Sequence, residues 1–147
     1  MEKKIPTILL VEEGGDYLNS TFRLLLAFSV HVKVLENARQ AWKILFANGQ
    51  KLTPDLVILP GRLDDLTACD LVRKMRSKED TREIPAIVTF DSFDEQEYFQ
   101  QCNFPLSFPF VKPLTFADLV HAIPALEESS SRLPWLRPPQ EITASAF

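Results

Sequence analysis

The chain is 147 residues long and 46% hydrophobic, which suits one soluble domain with a sizeable core. A formal charge of -4 argues against nucleic-acid binding, which normally needs a basic stripe, and no apolar run approaches the ~20 residues of a membrane-spanning helix. The opening Met1-Glu2-Lys3-Lys4-Ile5-Pro6 lacks the apolar stretch of a secretory signal, and Cys69 and Cys102 have no metal-like spacing; both features fit a cytoplasmic protein with reduced thiols.

Residues 5–11 read as a first strand whose apolar run Ile8-Leu9-Leu10-Val11 ends abruptly in Glu12-Glu13-Gly14-Gly15. Asp16 is placed to cap a helix with Leu18, Phe22, Leu25 and Leu26 on one face. Residues 30–35 alternate as an edge strand should, and Asn37 is a good cap for a helix carrying Ala41, Trp42, Leu45 and Phe46, ended by Gly49. The run Leu56-Val57-Ile58-Leu59 suits a strand covered on both faces, the centre of a parallel sheet. Chemistry in such sheets gathers past the carboxyl ends of the strands, and here that place holds Pro60.

Residues 66–76 form a third helical pattern with Cys69, Val72 and Met75 in register, closed by the charged connector 77–83. A fourth strand spans residues 84–90, and Ser92 with Glu95 makes a capping box for a helix with Phe93, Tyr98, Phe99 and Cys102. Residues 106–111 form a short fifth strand, which Pro109 assigns to a sheet edge, followed by Lys112-Pro113. Thr115 caps a last helix with Phe116, Leu119, Val120 and Ile123, stopped by Pro124. Strands alternating with helices predict a doubly wound α/β sheet.

From Glu127 the composition turns to Ser, Pro and charge, so residues 1–126 are read as the domain and 127–147 as a Pro/Ser-rich tail or linker. Leu133, Trp135 and Leu136 among prolines could also form a docking segment. His31 and His121 have no partner at catalytic or metal spacing and read as surface or boundary residues.

Four landmarks in order, residues 8–13, 54–59, 84–88 and 111–113, resemble a bacterial response-regulator receiver domain, over roughly residues 4–126. The resemblance implies a receiver or flavodoxin-like fold, a five-stranded parallel sheet in the order 2-1-3-4-5 with five helices. It also implies a phosphorylation site, which here departs from the family's pattern. The acidic pair that holds Mg²⁺ becomes Glu12 and Glu13, and the lysine is Lys112. The phosphoacceptor position falls on Pro60 and the hydroxyl position on Phe90, with Thr89 facing the other side of the sheet. The mobile aromatic becomes Pro109, and the glycine after the acceptor loop becomes Ala68.

Phosphoryl transfer to a side chain needs a carboxylate nucleophile, a divalent cation and a cation at the transferred group. Pro60 supplies no nucleophile, the glutamates are each a methylene longer than the usual aspartates, and Phe90 is expected to fill the phosphate's place. One of Glu12 and Glu13 is expected to pair with Lys112. These features predict a degenerate pseudo-receiver, not an enzyme, with no cofactor, at most weak Mg²⁺ binding, and no small-molecule substrate. Its role would be protein interaction, with a signalling partner or as a homodimer, through a surface that includes Phe93, Phe99, Phe108 and Phe110. The alternatives are a phosphorylatable receiver using the displaced acids Asp64 or Asp65, and a nucleotide-binding flavodoxin-like protein using the crevice near Gly14 and Gly15.

Overall fold

The computed structural model describes residues 7–12, 20–26, 28, 30–47, 53–63 and 66–119. The elements, in chain order, are β1 (Thr7–Val11), α1 (Ser20–Leu25), β2 (His31–Leu35), α2 (Ala38–Phe46), β3 (Leu56–Pro60), α3 (Ala68–Ser77), β4 (Ala86–Phe90), α4 (Phe93–Gln101) and β5 (Ser107–Val111). A last helix opens at Phe116 and is described through Leu119. The expected positions Glu13 to Asp16, Leu18, Gly49, Asp64, Asp65, Val120, His121, Ile123, Pro124 and the tail 127–147 lie outside the described residues.

All the strands pair in parallel, in the order β2-β1-β3-β4-β5. The sheet topology is the expected one, with β2 and β5 at the edges. In β3, Leu56 to Leu59 are buried, as a strand with a layer on each face requires. Side chains alternate between two cores. Leu9, Val11, Val57, Leu59, Val88 and Phe90 meet α2, α3 and Phe99 of α4, while Ile8, Leu10, Ile58 and Ile87 meet Leu25, Phe28 and Leu119.

The helix starts carry the capping chemistry. Asn37 accepts a hydrogen bond from the Gln40 amide at 2.9 Å, and Thr67 and Asp70 form a complete capping box at the start of α3. The box expected at α4 is half made: Ser92 accepts from the Glu95 amide, while its own hydroxyl reaches the Glu95 carboxylate at 3.4 Å. Leu26, expected on the apolar face of α1, is 63% exposed, because Leu25 takes the inward position and the next residue turns about 100° away.

Arg76, near the end of α3, is half-buried, and among the described residues no carboxylate forms an ion pair with it. Its guanidinium instead donates to the carbonyls of Pro105 and Ile84, each at 2.7 Å, of Leu106 at 2.9 Å and of Arg82 at 3.3 Å. Burial lowers its pKa to about 10, which leaves it charged at neutral pH. Leu106 has a φ of 55°, unfavourable for a side chain of its size, and its carbonyl also accepts from the Ala86 amide at 2.9 Å. This clasp holds the connections that set β4 and β5 in place.

The pairing around β3 is asymmetric. With β4 it runs through Pro60 opposite Thr89, but with β1 it stops at Leu10 opposite Ile58. Amides alternate along a strand, and those of Val57 and Gly61 donate to the β4 side, to Pro85 and Thr89. The amide missing from Pro60 therefore belongs to the β1 side, where the ladder ends.

Candidate functional site

The carboxyl ends of β1, β3, β4 and β5 surround an open cleft of about 640 Å³. Its floor is apolar, from Leu10, Ile58 and Leu59, and its polar lining is Glu12, Thr21, Arg62, Thr89, Asp91 and Lys112. Pro60 lines it at the end of β3. The structure thus brings together Glu12, Pro60 and Lys112 of the expected site; Glu13 lies outside the described residues.

Two placements correct the reading of the sequence. Phe90 does not occupy this cleft. It is 5% exposed in the core on the other face of the sheet, 5.4 Å from the Phe99 ring, and it lies over Gly61, where a Cβ would come within 2.4 Å of the Phe90 ring. Thr89 lines the cleft instead, because register sets it beside Pro60 and strand alternation then turns Phe90 away. The pairing of Pro60 with Thr89 thus puts the cleft hydroxyl one residue earlier than the resemblance implies.

The second correction concerns Lys112. Its ammonium lies 3.2 Å from the carboxylate of Asp91, an acid just past β4, and pairs there and not with Glu12; the other expected partner, Glu13, lies outside the described residues. Glu12 is held by its backbone, whose amide donates to the Leu35 carbonyl at 2.9 Å. One of its carboxylate oxygens is buried without a hydrogen-bond partner. Burial raises the Glu12 pKa, against the opposing pull of a hydrogen bond from Thr21 and the positive charge of Lys112. Thr21, Arg62, Thr89 and Asp91 were missed as cleft residues; only Asp91, an acid directly after an apolar strand, carried a local signal.

Among the described residues the fit to Mg²⁺ is poor. The ion asks for a near-octahedral set of oxygens, often from more than one carboxylate. Pro60 offers none, Asp91 is engaged by Lys112, and Glu12 offers a single unpartnered oxygen. Among the described residues no three His, Cys, Asp or Glu side chains come together as metal ligands.

The expected aromatic surface divides. Phe93 is 74% and Tyr98 is 70% exposed on α4, Phe108 and Phe110 are half-buried against the core, and Phe99 is 3% exposed between Phe90 and Phe104. Phe99 is therefore a core residue and not part of a docking surface: six positions along a helix carry it well round from Phe93. Pro109 sits in edge strand β5, opposite Val88, and its carbonyl accepts from the Gln96 side chain at 3.0 Å.

No family model matches the chain, and comparison with curated proteins gives no match. Solved structures do match. The chain is similar to the bacteriophytochrome response regulator AtBRR, with a TM-score of 0.78 and 22% identity over 93% of this chain and 99% of that one. The bacteriophytochrome response regulator RtBRR matches with a TM-score of 0.73 and 23% identity, over 97% and 90% of the two chains. The signal receiver domain of an HD domain-containing protein from Pseudomonas fluorescens Pf-5 matches with a TM-score of 0.71 and 22% identity, over 89% and 93%. With its five parallel strands in the order 2-1-3-4-5, the chain has the CheY-like, flavodoxin-like fold of response-regulator receiver domains.

Proposed function

We propose that the chain is a pseudo-receiver: a receiver fold that takes part in bacterial signalling by binding another protein, without phosphoryl transfer. The observation that carries this reading is Pro60, which lines the cleft at the end of β3 where the resemblance asks for a carboxylate nucleophile. Lys112, the cation such a site would turn on the phosphoryl group, is already paired with Asp91. Output through binding, with no enzymatic activity and no metal or nucleotide required, follows from this reading, as does a cytoplasmic setting. The partner is a signalling protein or a second copy of the chain, and the exposed Phe93 and Tyr98 on α4 are the apolar groups offered to it.

The test is incubation of the full chain with acetyl phosphate and Mg²⁺, read by intact mass, beside beryllofluoride titration followed by NMR. The expected result is an unmodified mass and no saturable shifts around the cleft. A stoichiometric phosphoryl adduct overturns the proposal; mapped to Asp64 or Asp65, it would establish a displaced acceptor.

A further inference from the structure

The two cysteines, 33 positions apart in sequence, meet: the Sγ atoms of Cys69 and Cys102 are 3.2 Å apart. Both are free thiols and half-buried, within reach of a small oxidant. Each is anchored by its own element. Cys69 sits in the first turn of α3, between Thr67 and Asp70 of the capping box. Cys102 caps the end of α4, its amide donating to the Phe99 carbonyl at 3.0 Å, and Asn103 with φ 53° turns the chain away.

We propose that Cys69 and Cys102 form a reversible disulfide that locks the start of α3 to the end of α4 when the protein meets a hydroperoxide. An S–S bond is about 2.0 Å long, so closure asks for a movement of roughly 1 Å between side chains already in contact. The chemistry balances with hydrogen peroxide as oxidant. The thiolate of Cys102 attacks one peroxide oxygen, the O–O bond breaks, and the departing hydroxide takes up a proton as water, which leaves a sulfenic acid. The Cys69 sulfur then attacks the Cys102 sulfur, the S–O bond breaks, the Cys69 proton is released, and a second water leaves. Two thiols and one peroxide thus become one disulfide and two waters.

Burial, together with the neighbouring thiol, pushes the Cys69 pKa up to about 12, and the disulfide formed is the same whichever of the two sulfurs is oxidised first. The bond would connect two parts of the molecule with different exposure to other proteins. Ala68, beside Cys69, donates its amide to the Gly61 carbonyl in the loop after Pro60, at 2.9 Å. The helix ending at Cys102 carries the exposed Phe93 and Tyr98. Oxidation would therefore fix the position of α4 relative to the cleft loop. This inference rests on the cysteine geometry alone and holds whether or not the chain is a pseudo-receiver.

The experiment treats the full, reduced chain with hydrogen peroxide, quenches with iodoacetamide and reads intact mass. The expected product is monomeric, lighter by two hydrogens and without alkyl groups. Its digest contains a Cys69–Cys102 cross-linked peptide, dithiothreitol restores both alkylation sites, and its Tm lies roughly 5–10 °C above the reduced form. The Cys69→Ser and Cys102→Ser variants are expected to show neither the cross-link nor the Tm rise. Full alkylation after peroxide overturns the proposal. So does a predominance of sulfinic acid or of disulfides between chains.

Discussion

The Lys112 ammonium and the Asp91 carboxylate stand 3.2 Å apart at the mouth of the cleft, joining the residue after β5 to the residue after β4. Both side chains are substantially exposed, 43% and 71%, so water screens the attraction and the pair stabilises the fold by no more than about 1 kcal/mol. Asp91→Ala should lower Tm by less than about 4 °C, and a double-mutant cycle with Lys112→Ala should return a coupling below about 1 kcal/mol that fades in high salt. Thermal unfolding at low and high ionic strength measures both.

Glu12 sets a pH dependence with a definite sign. Its folded pKa is raised above the ordinary value of 4.5, first by burial, so the folded chain holds the proton more tightly than the unfolded one. Stability from this group therefore falls as pH rises from about the ordinary value through the raised one, and the ionised state is the less stable. Glu12→Gln is expected to raise Tm at pH 7 by roughly 2–4 °C, a gain of about 1 kcal/mol kept small by partial solvation. The difference should shrink toward zero below the ordinary glutamate range, where wild type is also neutral. Melting curves across pH decide it; a constant offset at every pH would refute the assignment.

Arg76 should be among the most costly polar residues to remove. Arg76→Ala leaves the carbonyls of Pro105, Ile84 and Leu106 without their charged donor, and about 3 kcal/mol of stability should go with it, or roughly 6–12 °C in Tm. Arg76→Lys should recover less than half of that loss, since an ammonium cannot span carbonyls on two separate connections. Denaturant midpoints of the two variants separate these outcomes.

Because Thr89 rather than Phe90 faces the cleft, a carboxylate restored at position 60 would meet a hydroxyl and not an aromatic ring. Pro60→Asp is expected to acquire a measurable acetyl phosphate adduct that wild type lacks. Thr89→Ala in that background should lower the adduct at least about tenfold, as loss of one donor to a developing charge typically does. Phe90→Ala in the same background should leave it largely unchanged while destabilising the core by about 3 kcal/mol or more.

The architecture was legible because its signals were long-range patterns: buried runs at residues 8–11 and 56–59, caps at Asn37 and Ser92, and Pro109 on an edge strand. The cleft was legible only in part. Pro60 and Lys112 could be placed by counting, but the side of the sheet that Thr89 and Phe90 face depends on one residue of register, which a single step in counting reverses. The Asp91 pair and the Arg76 clasp join segments far apart in sequence through side chains, and no local spacing announces them. The contact of Cys69 with Cys102 was hidden in the same way, by the packing of two helices whose sequences each look self-contained.

The imino nitrogen of Pro60 adds a consequence for anyone who re-engineers this position. By the alternation of β3, that nitrogen falls opposite the end of β1, where pairing has already ceased. Any other residue there brings a hydrogen-bond donor as well as a side chain, and is free to extend the β1 ladder by a rung toward Val11 and so shift Glu12. Pro60→Ala, which supplies the donor without the acid, is therefore the proper reference for Pro60→Asp, and the difference between those two, not between Asp and wild type, isolates the chemistry of the carboxylate.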